Sequence, residues 1–298
     1  MRLIVNPTSR AGRGRDRRAY WTRELQRRQI PFAIAESLSE GHAAELARDA
    51  HEPVVVAVGG DGTINAVMNG VLASTRPKTL GVLYAGTSPD FCRFHRIPFS
   101  DPAAALNVLL AGHVRTVDVA KISCADTPPA HFACGCNVGL GARVAAFANA
   151  HRRHLGDAAG TALGLLLAVG AHRRFTAHLD LDGSPLTLSE VNHILILKNP
   201  HIASGLKLNL PLTPDDGALS VLALHHLSRM ALLRLIPDFY SGRAADNPAI
   251  FRRNCRTVKL TTEPRQAVEF DGDPHGATPL AAELRPRVLK LICEANHA

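Results

Sequence analysis

The chain has 298 residues, 46% of them hydrophobic and 20% charged, with a formal net charge of +8 and a pI near 9.5. This composition excludes an intrinsically disordered chain, and the length exceeds one ordinary core, so one large or two ordinary domains are expected. The basic balance points to an anionic partner: a phosphate-rich ligand, an anionic membrane surface or a nucleic acid.

The elements of the first 120 residues alternate. Residues 2–7, RLIVNP, read as a short apolar strand ending in Asn6-Pro7, and a strand at the first residues leaves no room for a signal peptide. Nine arginines fall in the first 28 residues. Residues 16–29 set Tyr20, Trp21 and Leu25 among these charges, as an amphipathic helix would. A strand is expected at 31–37, a helix at 39–50 and a strand at 54–58. Ile64, Val67, Met68, Val71 and Leu72 then recur at helical spacing, and 79–85 is a fourth strand. In DPAAALNVLLAG, Asp101 can cap a helix, Pro102 suits its first turn and Gly112 its end. This alternation is that of a parallel sheet with helices on both faces.

Beyond residue 113 the texture changes. Strand-like runs occur at 114–122, 131–140, 175–183, 192–199, 217–224, 256–262, 266–272 and 287–294, with helical stretches near 141–171 and 228–240. A β-rich, sandwich-like second domain is expected, with domains at 1–118 and 119–298 and the active site in the cleft. Cys134-Gly-Cys136 lies in an apolar run and reads as buried thiols rather than a metal pair. The longest apolar run, Ala158 to Ala171, has 14 residues, against the ~20 that cross a bilayer. A cytoplasmic protein is expected.

One turn carries more chemistry than the rest. The apolar run 54–58 ends in Gly59-Gly60-Asp61-Gly62-Thr63, after which a helix begins. Glycines at the carboxyl end of a buried parallel strand permit positive φ and a close approach of ligand to main-chain amides. Thr63 can cap the helix, whose N-terminus favours anions. Together these make a phosphate cradle. Asp61 would be repelled by phosphate and fits instead a Mg²⁺ ion or a water on it. The turn is neither a Walker A loop nor a GxGxxG dinucleotide turn.

In this setting GGDGT resembles the diacylglycerol kinase catalytic-domain superfamily, which includes bacterial lipid kinases and sphingosine kinases. NAD kinases carry a related turn. Further blocks follow in the superfamily's order: NPTSRAGRG (6–14), AGTSPDFCR (85–93), VDVAKI (117–122), CNVGLGARV (136–144), LPLTPDDGALSV (210–221) and EFDGDP (269–274). The likeness is strongest to the soluble bacterial diacylglycerol kinase branch, of two-domain form. It implies that Asn6, Thr8, Ser9, Ser37, Gly59, Gly60, Asp61, Gly62, Thr63 and Thr87 bind ATP. It also implies that Asp61, Asp90 and Asp118 hold a Mg²⁺–water network, and that Asp271 or Asp273 is the base that takes the substrate hydroxyl proton. Asp216, with the main-chain carbonyls of Thr213 and Ala218, matches a second, structural metal site.

Two positions depart from the pattern. Pro89 stands where asparagine is usual, and Asp273 where glutamate is usual. A weakly active or non-catalytic nucleotide- or lipid-binding homologue, and an NAD-kinase-like enzyme, are therefore the rival readings. The expected partners are a lipid substrate and, peripherally, the anionic inner face of the membrane, with a homodimer as one assembly the chain allows. Residues 155–171, flanked by Arg152, Arg153 and His154 and by His172, Arg173 and Arg174, suit either a buried helix or a lipid-facing lid. No nucleic acid is expected, since aromatic residues are 5% and form no stacking motif among the arginines.

Overall fold

The computed structural model describes residues 1–7, 14–142, 144, 167–202, 206–247 and 250–295, with the main chain alone at 245, 273 and 274. Thr8, Ser9 and most of the 155–171 stretch lie outside the described residues; the last turn of that stretch, 167–171, is helical. The chain divides into two compact units, residues 1–119 with 286–298, and residues 120–285.

The first unit is α/β. Its strands are β1 (Arg2–Val5), β2 (Ala33–Glu36), β3 (Val54–Gly59) and β4 (Thr79–Tyr84), and its helices α1 (Arg15–Arg27), α2 (Glu40–Asp49), α3 (Asp61–Ala73), α4 (Asp90–His95) and α5 (Pro102–Ala111). The strands pair in parallel in the order β4-β3-β1-β2, with Val5 opposite both Glu36 and Val58 and Gly59 opposite Tyr84. Because β2 and β3 flank β1 on opposite sides, the carboxyl ends of β1 and β3 form the switch point where such sheets bind ligands. β3 is buried on both faces beyond Val54, as a central parallel strand must be.

The ends of α5 follow the residues foreseen for them. Asp101 accepts the N–H groups of Ala103 at 2.8 Å and Ala104 at 3.2 Å, and Gly112 closes α5 in the left-handed region at φ 68°. Ser39 caps α2 through His42 N–H. On α1, Trp21 and Leu25 are buried, Arg15, Arg23 and Arg27 are exposed, and Arg17 reaches inward to donate to Tyr84 O at 3.0 Å and Ser100 O at 3.2 Å. The Trp21 indole N–H donates to Pro102 O at 2.9 Å, so burying this large ring leaves no donor unsatisfied.

The second unit is β-rich. It contains β6 (Thr127–Phe132), β7 (Gly135–Gly139), β8 (Phe175–Leu181), β9 (Ser184–Leu197), the short pair β10 (His201–Ile202) and β11 (Leu206–Lys207), β12 (Leu219–His225), β13 (Ile250–Cys255), β14 (Thr257–Glu263), β15 (Ala267–Phe270) and β16 (Asp273–Ala277). Between β12 and β13 the described residues form two short α-helices, α6 (Arg229–Arg234) and α7 (Ile236–Ser241). The pairs β7–β9, β8–β9, β8–β14 and β12–β9 are antiparallel. Alternation is clean in β8 and β14, so one face of each enters a core that includes Leu179, Val221, Val258 and Phe270. β8 and β9 are joined by Asp182-Gly183, both at positive φ, the backbone a tight hairpin requires.

Two strands, β5 (Val114–Cys124) and β17 (Leu280–Ile292), contribute residues to both units. The expected second domain running to the C-terminus is therefore divided. Ile292 packs in the same core as Leu3, Val56 and Leu106, and residues 286–298 belong with the first unit. The expected single strand 131–140 breaks at Ala133-Cys134, and the polar strand β13 was not foreseen. The expected helix 228–240 is two helices, with Pro237 in the first turn of the second.

Candidate active site

In the first unit the glycine turn allows a close approach of main chain without positive φ. None of Gly59, Gly60 and Gly62 adopts positive φ. What they provide is space. A Cβ on Gly59 would lie 2.3 Å from Thr63 Oγ1, and one on Gly86 would lie 2.4 Å from Gly60 Cα. Two loops thus meet main chain against main chain, the one after β3 and the one after β4. Gly60, not Thr63, is the N-cap of α3. The helix starts three residues earlier than foreseen, so Thr63 falls in the first turn, buried, where its Oγ1 accepts from Asn6 Nδ2 at 3.2 Å. That bond ties the end of β1 to the start of α3 across the switch point. The 13-residue α3 presents its N-terminus there, with the main-chain amides and positive dipole end that suit phosphate.

The acids are partly assembled. Asp61 Oδ2 accepts the main-chain N–H of Asp90 at 3.2 Å, which brings both carboxylates to one place. Asp90 is 6% exposed, and its carboxylate is held by Ser88 Oγ at 3.1 Å and Arg93 Nη1 at 3.3 Å. Beside them lies the buried Tyr84 hydroxyl, whose role the sequence reading missed. Burial first, and then the negative charges of Asp61 and Asp90, pushes its pKa well above the usual tyrosine range. It is held as a neutral hydroxyl. Asp118, on β5, is buried and its Oδ1 accepts Arg287 N–H at 2.9 Å. Among the described residues no group of three or more His, Cys, Asp or Glu is placed to hold a metal ion, so Asp61, Asp90 and Asp118 are not brought together as one ligand set. Two adjacent carboxylates still fit a hard cation that keeps several waters, the habit of Mg²⁺. Ser37 is buried and its hydroxyl donates to Val5 O at 3.2 Å, and Thr87 lies in the loop after β4.

In the second unit, Asp271 sits at φ 50°, and its carboxylate accepts three main-chain N–H groups: Ala133 at 3.0 Å, Cys134 at 2.9 Å and Gly135 at 3.1 Å. This carboxylate fastens the loop before β7. Glu269, which sequence reasoning did not single out, is buried beside it and accepts from Asn137 Nδ2 and, at 2.6 Å, from Gly272 N–H. The core-facing residues of β15 are Val268 and Phe270, so alternation sets Glu269 on the other face and gave no signal of its burial. Asp273 opens β16.

The expected metal site at Thr213, Asp216 and Ala218 requires a correction. The three groups do converge on a cation, and that cation is the ammonium of Lys198. Its Nζ donates to Thr213 O at 2.9 Å, to Ala218 O at 3.4 Å and to Asp216 Oδ1. Asp216 also accepts the N–H groups of Thr213 at 2.8 Å and Ala218 at 3.0 Å. A divalent ion needs these oxygens at about 2.0–2.6 Å, in the space the ammonium fills. None of the six cysteines forms a disulfide, and Cys134 and Cys136 are buried.

Comparison with known proteins agrees with this picture. The family model for the diacylglycerol kinase catalytic domain matches residues 1–122, and that for the YegS C-terminal NAD kinase beta sandwich-like domain matches residues 135–293. The chain belongs to the diacylglycerol kinase catalytic-domain family, in the form that carries a YegS-type second domain. Curated relatives include diacylglycerol kinases of two Staphylococcus aureus strains, JH9 and Newman, each 34% identical over 137 residues. The match covers 41% of this chain and 39% of each relative's length. Among solved structures, a diacylglycerol kinase from Bacillus anthracis str. Sterne superposes with a TM-score of 0.73 at 19% identity, covering 98% of this chain and 96% of the other. Another chain from that organism reaches 0.79 at 22% identity over the same shares. At such identities the likeness is one of fold.

Proposed function

We propose that the protein is an ATP- and Mg²⁺-dependent lipid kinase that transfers the γ-phosphoryl group to a hydroxyl of diacylglycerol or a similar lipid. The observation that carries this reading is the pairing of Asp61 with Asp90 beside the Gly60–Gly86 contact, at the N-terminus of α3, in a chain of this family. The α3 amides and the loop of Thr87 bind the nucleotide phosphates, and Asn6 fixes Thr63 beneath them. Asp61 and Asp90 hold the metal, which when bound neutralises charge on the phosphates. Phosphoryl transfer then asks the protein mainly for positioning, with late removal of the hydroxyl proton by a carboxylate. The three amides on Asp271 commit it to holding its loop, which leaves Asp273 as the base in this reading. Among the described residues no helix is long and apolar enough to cross a membrane. Access to lipid is therefore assigned to peripheral binding on an anionic surface, in keeping with the net charge of +8.

The test is transfer of labelled γ-phosphate from ATP by the purified full chain to diacylglycerol, monoacylglycerol, sphingoid base, phosphatidylglycerol and NAD. Labelled phosphatidic acid, lost on chelation of Mg²⁺, is the expected result. Phosphorylation of NAD alone would transfer the protein to the NAD-kinase-like reading. Nucleotide binding with no turnover on any acceptor would leave a non-catalytic homologue, the reading that Pro89 and Asp273 motivate.

A further inference from the structure

Lys198 follows the apolar run Ile194–Leu197 at the end of β9, and its side chain is 1% exposed. A lysine is seldom buried this completely unless its charge is paired and its donors are used. An ammonium has three N–H donors, and here three acceptors meet it, two main-chain carbonyls and one carboxylate oxygen. The same carboxylate closes the 213–218 turn through two main-chain amides. The turn delivers Leu219 directly into β12, which pairs with β9 through Ser220 and Leu197, the residue before Lys198. The cation therefore lies where the turn is stitched back to the strand that supplies it.

We infer that the Lys198 ammonium is a built-in replacement for a metal ion at the Thr213–Asp216–Ala218 turn, so that the second unit is ordered without a divalent cation there. The donor set has the composition of a hard-cation site, carbonyl and carboxylate oxygen. A covalently attached cation meets the same need. It is not lost to chelators, and it excludes a free ion both by volume and by like charge. One residue decides which cation the turn holds.

The experiment uses the full chain without nucleotide. Crystals of the wild type grown with Mn²⁺ are examined for anomalous density near Asp216, and thermal unfolding is followed with EDTA and with Mn²⁺. The wild type is expected to show no ion within 3 Å of Asp216 Oδ1 and the same melting temperature with EDTA as with buffer alone; an ion at that position would overturn the inference. Lys198→Ala opens the space. It is expected to melt lower, to take Mn²⁺ on Asp216 and Thr213 O, and to gain about 5–10 °C at a hundredfold excess of metal over its Kd. A folded Lys198→Ala chain that never binds Mn²⁺ at Asp216 would also overturn it. If that variant folds only with metal present, the inference is supported; if it folds in neither condition, the wild-type density and melting decide.

Discussion

Replacing Gly86 by alanine probes the contact on which the proposed nucleotide site is built. The added Cβ would stand 2.4 Å from Gly60 Cα and 2.7 Å from the Tyr84 hydroxyl oxygen. Carbon atoms pack best at about 3.5–4.0 Å, so more than ~1 Å must be found. Gly60 Cα is main chain at the cap of α3 and cannot swing aside as a side-chain end would, and moving it carries Asp61 along. Overpacking of this kind costs about 1–3 kcal/mol. Expressed in folding, that lowers the melting temperature by roughly 3–10 °C. Expressed instead in a displaced loop, it weakens nucleotide binding about 5- to 150-fold. Gly60→Ala is the control, since its Cβ would meet Gly86 Cα at 3.2 Å and needs a shift of only a few tenths of an ångström. Its cost is expected to stay below about 1 kcal/mol. Scanning calorimetry and calorimetric titration with ATP on the three proteins measure both channels. A Gly86→Ala chain with wild-type stability and wild-type affinity, or a Gly60→Ala chain more impaired than it, would refute the close-approach argument.

Asp61→Asn keeps an acceptor for Asp90 N–H but loses the charge, so phosphoryl transfer is expected to fall at least about a hundredfold with the melting temperature little changed. Asp271→Asn loses carboxylate charge facing three amides and is expected to lower stability by about 1–3 kcal/mol in urea unfolding, whereas Asp273→Asn is expected to lower kcat with stability intact. His193 is buried and desolvation, opposed by its bond to Val138 O, lowers its pKa from 6.5 to about 4. The unfolded chain then binds a proton that the native one does not, so stability rises with pH between about 4 and 6.5, by up to about 3 kcal/mol, and is complete above that window. Urea midpoints across this range should show the slope in the wild type and a reduced slope in His193→Gln. Pro89→Asn, restoring the residue usual in the family, is expected to raise ATP affinity about 2- to 10-fold in calorimetric titration, the worth of one hydrogen bond.

Periodic burial made the architecture legible. β3 and β4 could be read from five or six apolar residues in a row, and α5 from Asp101 and Gly112, because these signals are local. The destination of the last strand was not local: RVLKLICE reads the same whichever unit it joins, and only the packing of Ile292 with Leu3 and Val56 places it. For the site, a motif gave residue identities without partners. Asp61, Asp90 and Asp271 sit in the expected blocks, yet that Asp271 faces three amides depends on a loop more than 130 residues away in the chain. Lys198 was passed over because ILILKN reads as a strand end, where lysine is ordinary. Its burial is set by the turn at 213–218, which no pattern in β9 announces.

The departure at Pro89 acquires a local meaning in the structure. Pro89 is the N-cap of α4, with φ −83° and ψ 43°, and supplies no side-chain acceptor. Helix starts without a cap leave main-chain amides that another group must take. Here the amide of Asp90 is taken by Asp61, from the glycine turn of another strand, and the Asp90 carboxylate is steadied by Ser88 from the preceding loop. The carboxylate of the glycine turn completes α4, and under the proposed function it would also serve the metal. An ion that draws Asp61 away would loosen α4, and a rigid α4 would hold Asp61 back from the ion. A cap residue at position 89 relieves that competition, and this is why the asparagine reversion is expected to act on ligand affinity more than on the stability of the fold.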